Sequence, residues 1–457
     1  MKCILFVLTL FSFYLPTQSQ AVSLSENHQG EVLIFPYYTV NNNLNTLYYV
    51  VNLTANPKAI KVRFVEGDNG AEALIFNVYL DQFDVWSGAL VPTTSSIMGH
   101  IGEQSVLHVS ADQSCTPFLN KSGQEFLPFV IDNDPNNNDL SRTTTGHIEI
   151  IELGVLTNEE FGSAAAVSHG TSGVPANCQL LLDAWSNGYW INDSTTDLSN
   201  PNGGLMGSAS VVDVANGASY GFNAVALNSF WQSAAEHTEP GSMLPDLSSG
   251  TTESNVTING QVVTQNWPNG YEAVSATLMQ SKLFNEYSIE PDFNAATEWV
   301  ISFPTKNFHV NDLTPIPPFT ETWNQIDACE EFSYRVFDRE TNNNQNTIGS
   351  PPPQGATPSL CYQTNVIQFI KSFSEPAINT EILGAINRLL LETEGFDNEF
   401  NSLSGWAEVD FTANSMGTYQ GLPAIGFQVQ KFSNTTVDDL IATYSSLNGH
   451  KGILEEL

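Results

Sequence analysis

The stretch TLYYVVNLTANPKAIKVRFVE, residues 46–66, contains two strand-like runs, TLYYVVNLT and AIKVRFVE, with an Asn-Pro turn signal between them. In the second run Ile60, Val62 and Phe64 alternate with Lys61 and Arg63. This period of two predicts a half-buried antiparallel strand, with one face on a core and the other in solvent. The stretch therefore indicates an antiparallel β-sheet.

Similar runs occur on both sides of this stretch and along the rest of the chain. The further predicted strands are Glu31–Tyr38, Phe76–Trp86, Ser105–Ser110, His147–Leu153, Gln179–Ala184, Ser208–Val214, Tyr220–Leu227, Glu298–Phe303, Glu331–Phe337, Thr364–Ile370, Trp406–Thr412 and Ala424–Phe432. Helices are predicted at Tyr271–Tyr287, Glu381–Glu392 and Val437–Leu447. Short strands separated by Asn, Gly and Pro predict an all-β fold, mainly β with a few short helices, in two immunoglobulin-like or jelly-roll-like β-sandwich halves.

Composition suggests where the two halves begin and end. Residues 22–237 are predicted to form the first β-sandwich region, and residues 271–457 the second. Residues 238–270, between them, are rich in Gly, Ser, Thr, Pro and Asn and poor in apolar residues, which predicts a linker or a long surface excursion.

Residues 1–21 have the layout of a cleaved secretory signal peptide. Lys2 supplies a positive charge, Ile4–Leu15 is an almost unbroken apolar run, and small residues precede a predicted cut after Ala21. The run is shorter than the roughly 20 residues that span a bilayer, and no second long apolar run occurs, so we expect no membrane span. The protein is predicted to be exported to the cell surface or the extracellular space, with the periplasm as the alternative.

Four cysteines remain once the signal is removed: Cys115, Cys178, Cys329 and Cys361. An even number in an exported chain predicts two disulfides, and four cysteines allow three connectivities. We favour Cys115–Cys178 and Cys329–Cys361, because each pair then lies within one half of the chain. A zinc site is disfavoured, since there is no Cys-x-x-Cys spacing and no His-x-x-x-His pair.

The charge balance restricts the class of partner. The chain has 49 acidic and 14 basic residues, a net charge of −35, which becomes −36 when Lys2 is removed with the signal. Nucleic acid and anionic membrane surfaces both require clustered Lys and Arg, so neither is expected as a partner. The simplest interpretation is a solvated acidic surface, and a distributed calcium-binding surface is the alternative.

Motifs of enzyme chemistry are scarce. The sequence has no Gly-x-Ser-x-Gly elbow, no phosphate-binding loop and no His-Glu-x-x-His zinc motif. Glu298, beside Trp299 on an apolar run, is the first candidate for a catalytic carboxylate, although an acid at a strand edge is the commoner explanation. The sequence therefore favours a non-enzymatic protein.

Two segments suggest ligand binding. Asp132, Asp134, Asn136 and Asn138 place oxygen ligands at alternate positions, as at the start of a calcium loop, but the later glycine and glutamate of that loop are missing. A polar turn rich in Asn and Asp explains the same residues without a metal. Calcium is the one cofactor that the sequence suggests.

A second segment, Trp185, Tyr189 and Trp190, lies among Asn and Asp, as aromatic residues do on surfaces that stack on sugar rings. Core packing at the end of a sandwich is the alternative explanation for these three rings.

Several strand-like segments resemble a group of exported, β-rich proteins of Gram-negative proteobacteria. They are Gly30–Val40, Ala59–Gly67, Phe76–Trp86, Trp299–Phe308 and Gly421–Phe427. The resemblance implies a bacterial exported protein over most of the mature chain. The shared motifs are strands and turns, so it implies no catalytic residue and no cofactor.

Together these features predict an exported, non-enzymatic structural or interaction protein of the cell surface or the extracellular space. Its expected partner is a cell-surface or extracellular protein or glycan. The alternative is a secreted carbohydrate-active protein, either a glycan-binding protein or a glycoside hydrolase.

Overall fold

The computed structural model describes residues 21–128, 130–131, 134, 137–171, 173–232, 234–340, 357–373, 381–394, 403–437 and 440–457. Strands contribute 46% and helices 11% of the structure, in several antiparallel sheets. The predicted all-β fold with a few short helices is therefore confirmed.

Thirteen strands are present among the described residues of the first half. They are β1 (Ser23–Leu24), β2 (Val32–Thr39), β3 (Asn45–Asn52), β4 (Lys58–Glu66), β5 (Glu72–Leu80), β6 (Val85–Thr94), β7 (Gln104–Val109), β8 (Gln124–Glu125), β9 (Thr145–Leu156), β10 (Leu198–Ser199), β11 (Leu205–Asp213), β12 (Ala218–Asn223) and β13 (Val225–Asn228). Its helices are α1 (Ser163–Val167) and α2 (Cys178–Ser186), with single 3-10 turns at Asn41–Asn43, Leu140–Thr144 and Tyr189–Ile191.

The rest of the chain adds shorter strands and two helices. The strands are β14 (Glu253–Ile258), β15 (Gln261–Asn266), β16 (Met279–Gln280), β17 (Lys282–Ser288), β18 (Ala295–Ser302), β19 (Glu330–Glu331), β20 (Ser333–Asp338), β21 (Ser359–Leu360), β22 (Thr364–Ile370), β23 (Arg388–Glu392), β24 (Ser404–Asp410), β25 (Ser415–Met416), β26 (Tyr419–Gln420), β27 (Leu422–Pro423), β28 (Ile425–Val437), β29 (Leu440–Gly449), β30 (Lys451–Ile453) and β31 (Glu455–Glu456). The helices are α3 (Gly270–Leu278) and α4 (Lys306–Val310), with a 3-10 turn at Pro291–Phe293.

Two large sheets form the first half. The first sheet has the order β1-β13-β2-β9-β4-β5, with β10 beside β9, and the second has the order β12-β11-β3-β6-β7-β8. In the second sheet the strands show the alternating burial of a sheet with one face in solvent, as in β12, where buried and exposed residues alternate strictly. The inner faces of the two sheets enclose a core that includes Phe35, Phe64 and Trp86.

Two further sheets form most of the second half. The third sheet is β20-β24-β17-β30 and the fourth is β23-β22-β18-β28-β29, in which β22 and β23 are parallel. Trp299 and Ile301 of β18 pack in a core with residues of the third sheet. Val300, on the opposite face of β18, joins the core of the first half. The two halves therefore share one hydrophobic core across the fourth sheet.

The strand Lys58–Glu66 is buried on both faces, and the prediction that one face meets solvent is wrong. Lys61 is fully buried and Arg63 is 2% exposed. Lys61 Nζ donates to the carbonyl oxygens of Glu239 and Ser242, 3.0 and 3.1 Å away. The alternation is real, but residues 238–246, distant in sequence, cover the polar face and supply hydrogen-bond acceptors.

Residues 238–270, where the sequence suggests a linker or surface excursion, contain ordered structure. Strands β14 and β15 pair in register as a hairpin from Glu253 to Asn266. Leu247 is fully buried, in a cluster with Phe230 and Ala273 of α3. The segment thus packs as a layer on the outside of the first sheet.

Several local predictions are wrong in the type of element. Gln179–Ala184, predicted as a strand, lies in α2, where the Asn177 side chain accepts a hydrogen bond from the Leu180 backbone N–H at the helix start. The predicted helix Tyr271–Tyr287 ends at Leu278, and its C-terminal part is strand β17. Its apolar residues serve two cores, because Val274 packs beneath α3 and Tyr287 packs between the third and fourth sheets.

Neither of the two predicted C-terminal helices is helical in the residues described, and both segments contain strands; residues 381–387 are irregular. Arg388–Glu392 pairs with β22, and Leu440–Gly449 forms a hairpin with β28. In both cases pairing with an edge of the fourth sheet decides the conformation, which local sequence does not encode.

Candidate functional site

Both predicted disulfides are present. Cys115 and Cys178 join the segment after β7 to the start of α2, with a sulfur–sulfur distance of 1.93 Å. Cys329 and Cys361 are joined at 2.03 Å. Among the described residues, the one group of three potential metal ligands is Asp327, Cys329 and Cys361, and its two thiols are used by the disulfide.

The segment predicted to open a calcium loop is only partly described. Asp132 and Asn136 lie outside the described residues. Asp134 Oδ2 accepts a hydrogen bond from Arg142 Nη1 at 2.9 Å, and Asn138 is exposed. A carboxylate already paired with a buried guanidinium is a poor calcium ligand, so the described part of the segment gives the metal hypothesis no support.

The aromatic cluster considered for glycan binding packs around a buried Trp190, which favours the core-packing explanation. Trp190 is 1% exposed, and its ring stacks on Tyr79 with 5.4 Å between ring centroids. Trp185 Nε1 donates to the Tyr79 hydroxyl at 2.8 Å, and Tyr189 packs edge-on against Trp190. A fully packed indole cannot present a face to a sugar, so Trp190 is a core residue, whereas Trp185 and Tyr189 are partly exposed.

Glu298, the first candidate for a catalytic carboxylate, is 1% exposed on β18. Its two carboxyl oxygens accept hydrogen bonds from the backbone N–H groups of Ile382 and Leu383, 3.0 and 2.9 Å away. Burial raises the pKa of Glu298 to about 7. The side chain fixes the segment before β23 to the fourth sheet, at the boundary between the halves.

More than a third of the scarce basic residues, five of 14, lie in the interior. These five are at most 3% exposed: Lys58, Lys61, Arg63, Arg142 and Lys306. Lys58 Nζ lies 2.6 Å from Glu152 Oε1, and Arg142 binds both oxygens of Glu66. Few cations are left for the surface, which is consistent with the expected solvated acidic exterior.

The outer face of the second sheet, apart from Glu125 on the edge strand β8, is the exception to this acidic surface. Its outward side chains alternate with buried ones along β3, β6, β7, β11 and β12. We call the following residues the uncharged face: Asn45, Leu47, Tyr49, Val51, Val85, Ser87, Ala89, Val91, Leu107, Val109, Met206, Ser208, Ser210, Val212, Ser219, Gly221 and Asn223. None of these residues is ionisable in the physiological range.

The strand register gives the uncharged face its shape. Leu47 on β3 lies directly between Ala89 of β6 and Ser210 of β11. Tyr49 lies in the same way between Ser87 and Ser208. A ridge of larger side chains on the central strand therefore runs between two troughs of small ones, and Leu47 and Tyr49 are 47% and 39% exposed.

An open groove of about 1000 Å³ follows this relief. Lys121 stands at its border and donates from Nζ to the carbonyl oxygens of Asp112 and Ser114. The groove itself is lined by the small and apolar residues of the uncharged face. Its geometry suits contact with an uncharged surface.

Sequence reasoning did not single out the uncharged face, although a signal for it exists. On β4 the outward positions carry Lys61 and Arg63, whereas β3 and β6 contain no charged residue and β11 only Asp213, at its last position. In a chain with 63 charged residues (49 acidic and 14 basic), strands with so little charge are a pattern that the sequence itself shows. Their adjacency, however, depends on a strand order that the sequence does not reveal.

Comparison of the chain with protein-family models, with curated proteins and with solved structures finds no match. The resemblance to exported proteobacterial proteins thus stays a prediction. No helix among the described residues is long and apolar enough to cross a membrane. The fold and site define an all-β, disulfide-bonded protein with one large uncharged sheet face.

Proposed function

We propose that the protein is an exported, non-enzymatic surface component that associates with further copies of itself through the uncharged face. The observation that supports this proposal is the absence of charge from a broad, partly apolar face in a chain of net charge −35. Copies of such a chain repel each other over the Debye length, about 8–10 Å at ordinary ionic strength. They approach with least opposition where neither carries charge.

The relief of the face favours a second copy as its occupant. Leu47 and Tyr49 form a ridge of large side chains, and Ala89 and Ser210 lie in the troughs of small side chains beside it. The ridge of one copy can therefore enter a trough of another copy. Two-fold symmetric interfaces use such self-complementary surfaces. Burial of the exposed apolar area supplies the driving force, at roughly 25 cal/mol per Å².

The first test measures the mass of the mature protein, residues 22–457, by light scattering after size exclusion. We expect dimers or larger species that increase with protein concentration and with salt, because salt screens the acidic repulsion. Ala89→Asp places a charge in a trough and should leave monomers at every salt concentration. Val262→Asp is the matched control, because Val262 is 65% exposed on the β15 hairpin, outside the uncharged face.

Two outcomes contradict self-association. One is wild-type protein that is monomeric at all concentrations and salts. The other is Ala89→Asp and Val262→Asp proteins that associate equally. If the protein stays monomeric but binds a different uncharged protein through this face, a second copy is rejected as the occupant of the face.

Export and surface location need a separate measurement. Fractionation of the producing cells with protease shaving of intact cells is expected to place the protein on the outer face of the cell, in large assemblies. Soluble monomer in the periplasm or the medium would count against a surface component.

A further inference from the structure

A second cavity lies at one end of the first sandwich, apart from the groove of the uncharged face. It has a volume of about 640 Å³ and forms where the 3-10 turn Asn41–Asn43 connects β2 to β3, where β6 ends and where β7 begins. We call it the amide pocket, because side-chain amides of residues 41–43 and of Gln104 line it together with hydroxyl groups, among them those of Ser105 and Thr144.

The amide pocket contains polar atoms that the protein leaves without partners. Ser105 is 1% exposed, and its Oγ has no hydrogen-bond partner among the described residues. Asn41 Nδ2 is also buried and without such a partner. Buried polar groups in proteins are nearly always hydrogen-bonded to protein or to a bound molecule, water included, so these two atoms are available to a ligand that enters the cavity.

The chemistry of the lining restricts what that molecule can be. No carboxylate, ammonium, guanidinium or imidazole group lines the amide pocket, so it offers no counter-charge to an ion. Amide and hydroxyl groups can each donate and accept, which is also true of every hydroxyl of a sugar. The volume lies within the roughly 300–1000 Å³ of small-molecule sites.

The backbone around the pocket is held in place from two sides. Asn42 and Asn43 both have left-handed backbone conformations, with φ of 53° and 57°, and this directs the turn around the cavity. A Cβ at Gly384 would lie 2.7 Å from Asn42 Cγ, so the second half of the chain packs closely against the turn. Asn43, Thr94 and Gln104 are exposed at the rim, which leaves the cavity open to solvent.

We propose that the amide pocket is a binding site for a neutral saccharide. The site is separate from the Trp185, Tyr189 and Trp190 cluster, whose residues do not line the pocket. The inference does not depend on self-association, because the pocket is lined by different residues from the groove. It gives the protein a ligand of the glycan class without any catalytic group.

The test uses the full mature chain and a panel of neutral sugars at millimolar concentrations: glucose, galactose, mannose, N-acetylglucosamine, cellobiose and maltose. Binding is measured by saturation-transfer NMR and calorimetry. We expect at least one of them to bind. Ser105→Ala should weaken that binding about tenfold, since a buried hydrogen-bonding group is lost. Ser87→Ala is the matched control, because Ser87 lies on the same sheet and lines the groove instead.

Gln104→Glu provides a second variant that should fold normally, because Gln104 is exposed at the rim. The added carboxylate should change the affinity for the bound sugar, whereas Ser87→Ala should not. The proposal is overturned if no sugar of the panel binds. It is also overturned if the Ser105→Ala, Gln104→Glu and Ser87→Ala proteins bind as the wild type does, which would place the sugar elsewhere, or if glucuronate binds as tightly as glucose.

Discussion

Arg63 Nε donates to Glu149 Oε2 across 2.8 Å, and both side chains are 3% exposed. The two residues lie directly opposite each other on β4 and β9, in the middle of the first sheet. Burial favours the neutral acid, but Arg63 and His147 more than offset this and hold the pKa of Glu149 below its usual range. The face of the first sheet turned away from the main core is therefore organised by charge pairs.

Arg63→Met should strongly destabilise the protein. It leaves the Glu149 carboxylate buried without its cation, a change that typically costs about 3–5 kcal/mol. Lys61→Met is the comparison, because Lys61 faces carbonyl oxygens only and burial, with repulsion from Arg63, lowers its pKa to about 7. The decrease in unfolding free energy for Lys61→Met should be small. Urea unfolding of both proteins at neutral pH gives the two free energies, and equal losses would contradict the ion-pair account.

The stability of the protein should also depend on the ionisation of Glu298. Its folded-state pKa, raised to about 7, lies above the ordinary value of 4.5, so ionisation is less favourable in the folded protein. The resulting contribution is fully present below about pH 4.5 and is lost as the pH rises through 7, by about 3 kcal/mol in all. Glu298→Gln cannot ionise and should lack this loss.

The measurement is the unfolding free energy of wild type and Glu298→Gln between pH 5 and pH 8. The variant loses a backbone hydrogen bond at every pH, so the informative quantity is the change in the difference. We expect the unfolding free energy of Glu298→Gln to increase relative to that of wild type as the pH rises. Glu286→Gln, at an exposed site on β17, is the control. Its unfolding free energy should differ from that of wild type by the same amount at pH 5 and at pH 8.

The sequence predicts the strands of this fold better than it predicts what covers them. The alternation at Ile60 and Lys61 correctly indicates a strand, but the burial of Lys61 depends on residues 238–246. Both disulfides follow from the number of cysteines and their division between the halves. The uncharged face could not be predicted, because it requires the order β12-β11-β3-β6-β7, which is set by long-range pairing.

Each disulfide should contribute several kcal/mol to stability. Cys115 and Cys178 are separated by 63 residues, and Cys329 and Cys361 by 32. The chain-entropy model gives about 4 kcal/mol for loops of either size, with the longer loop slightly ahead. Paired Cys→Ser variants of each bridge should therefore unfold at clearly lower urea concentrations than wild type. Unchanged unfolding midpoints would show that the bridges do not stabilise the protein by lowering the entropy of the unfolded chain.

Trp190→Ala should test the structural role of the aromatic cluster. The indole is 1% exposed, stacks on Tyr79 and donates from Nε1 to the Thr196 carbonyl at 2.9 Å. Replacement of a buried Trp by Ala leaves a cavity and typically costs about 3–5 kcal/mol. Phe161→Ala is the control, because Phe161 is 81% exposed and its loss should change stability little. If thermal unfolding instead shows Trp190→Ala to be as stable as wild type while its retention on polysaccharide is lost, the ring serves a ligand and not the core.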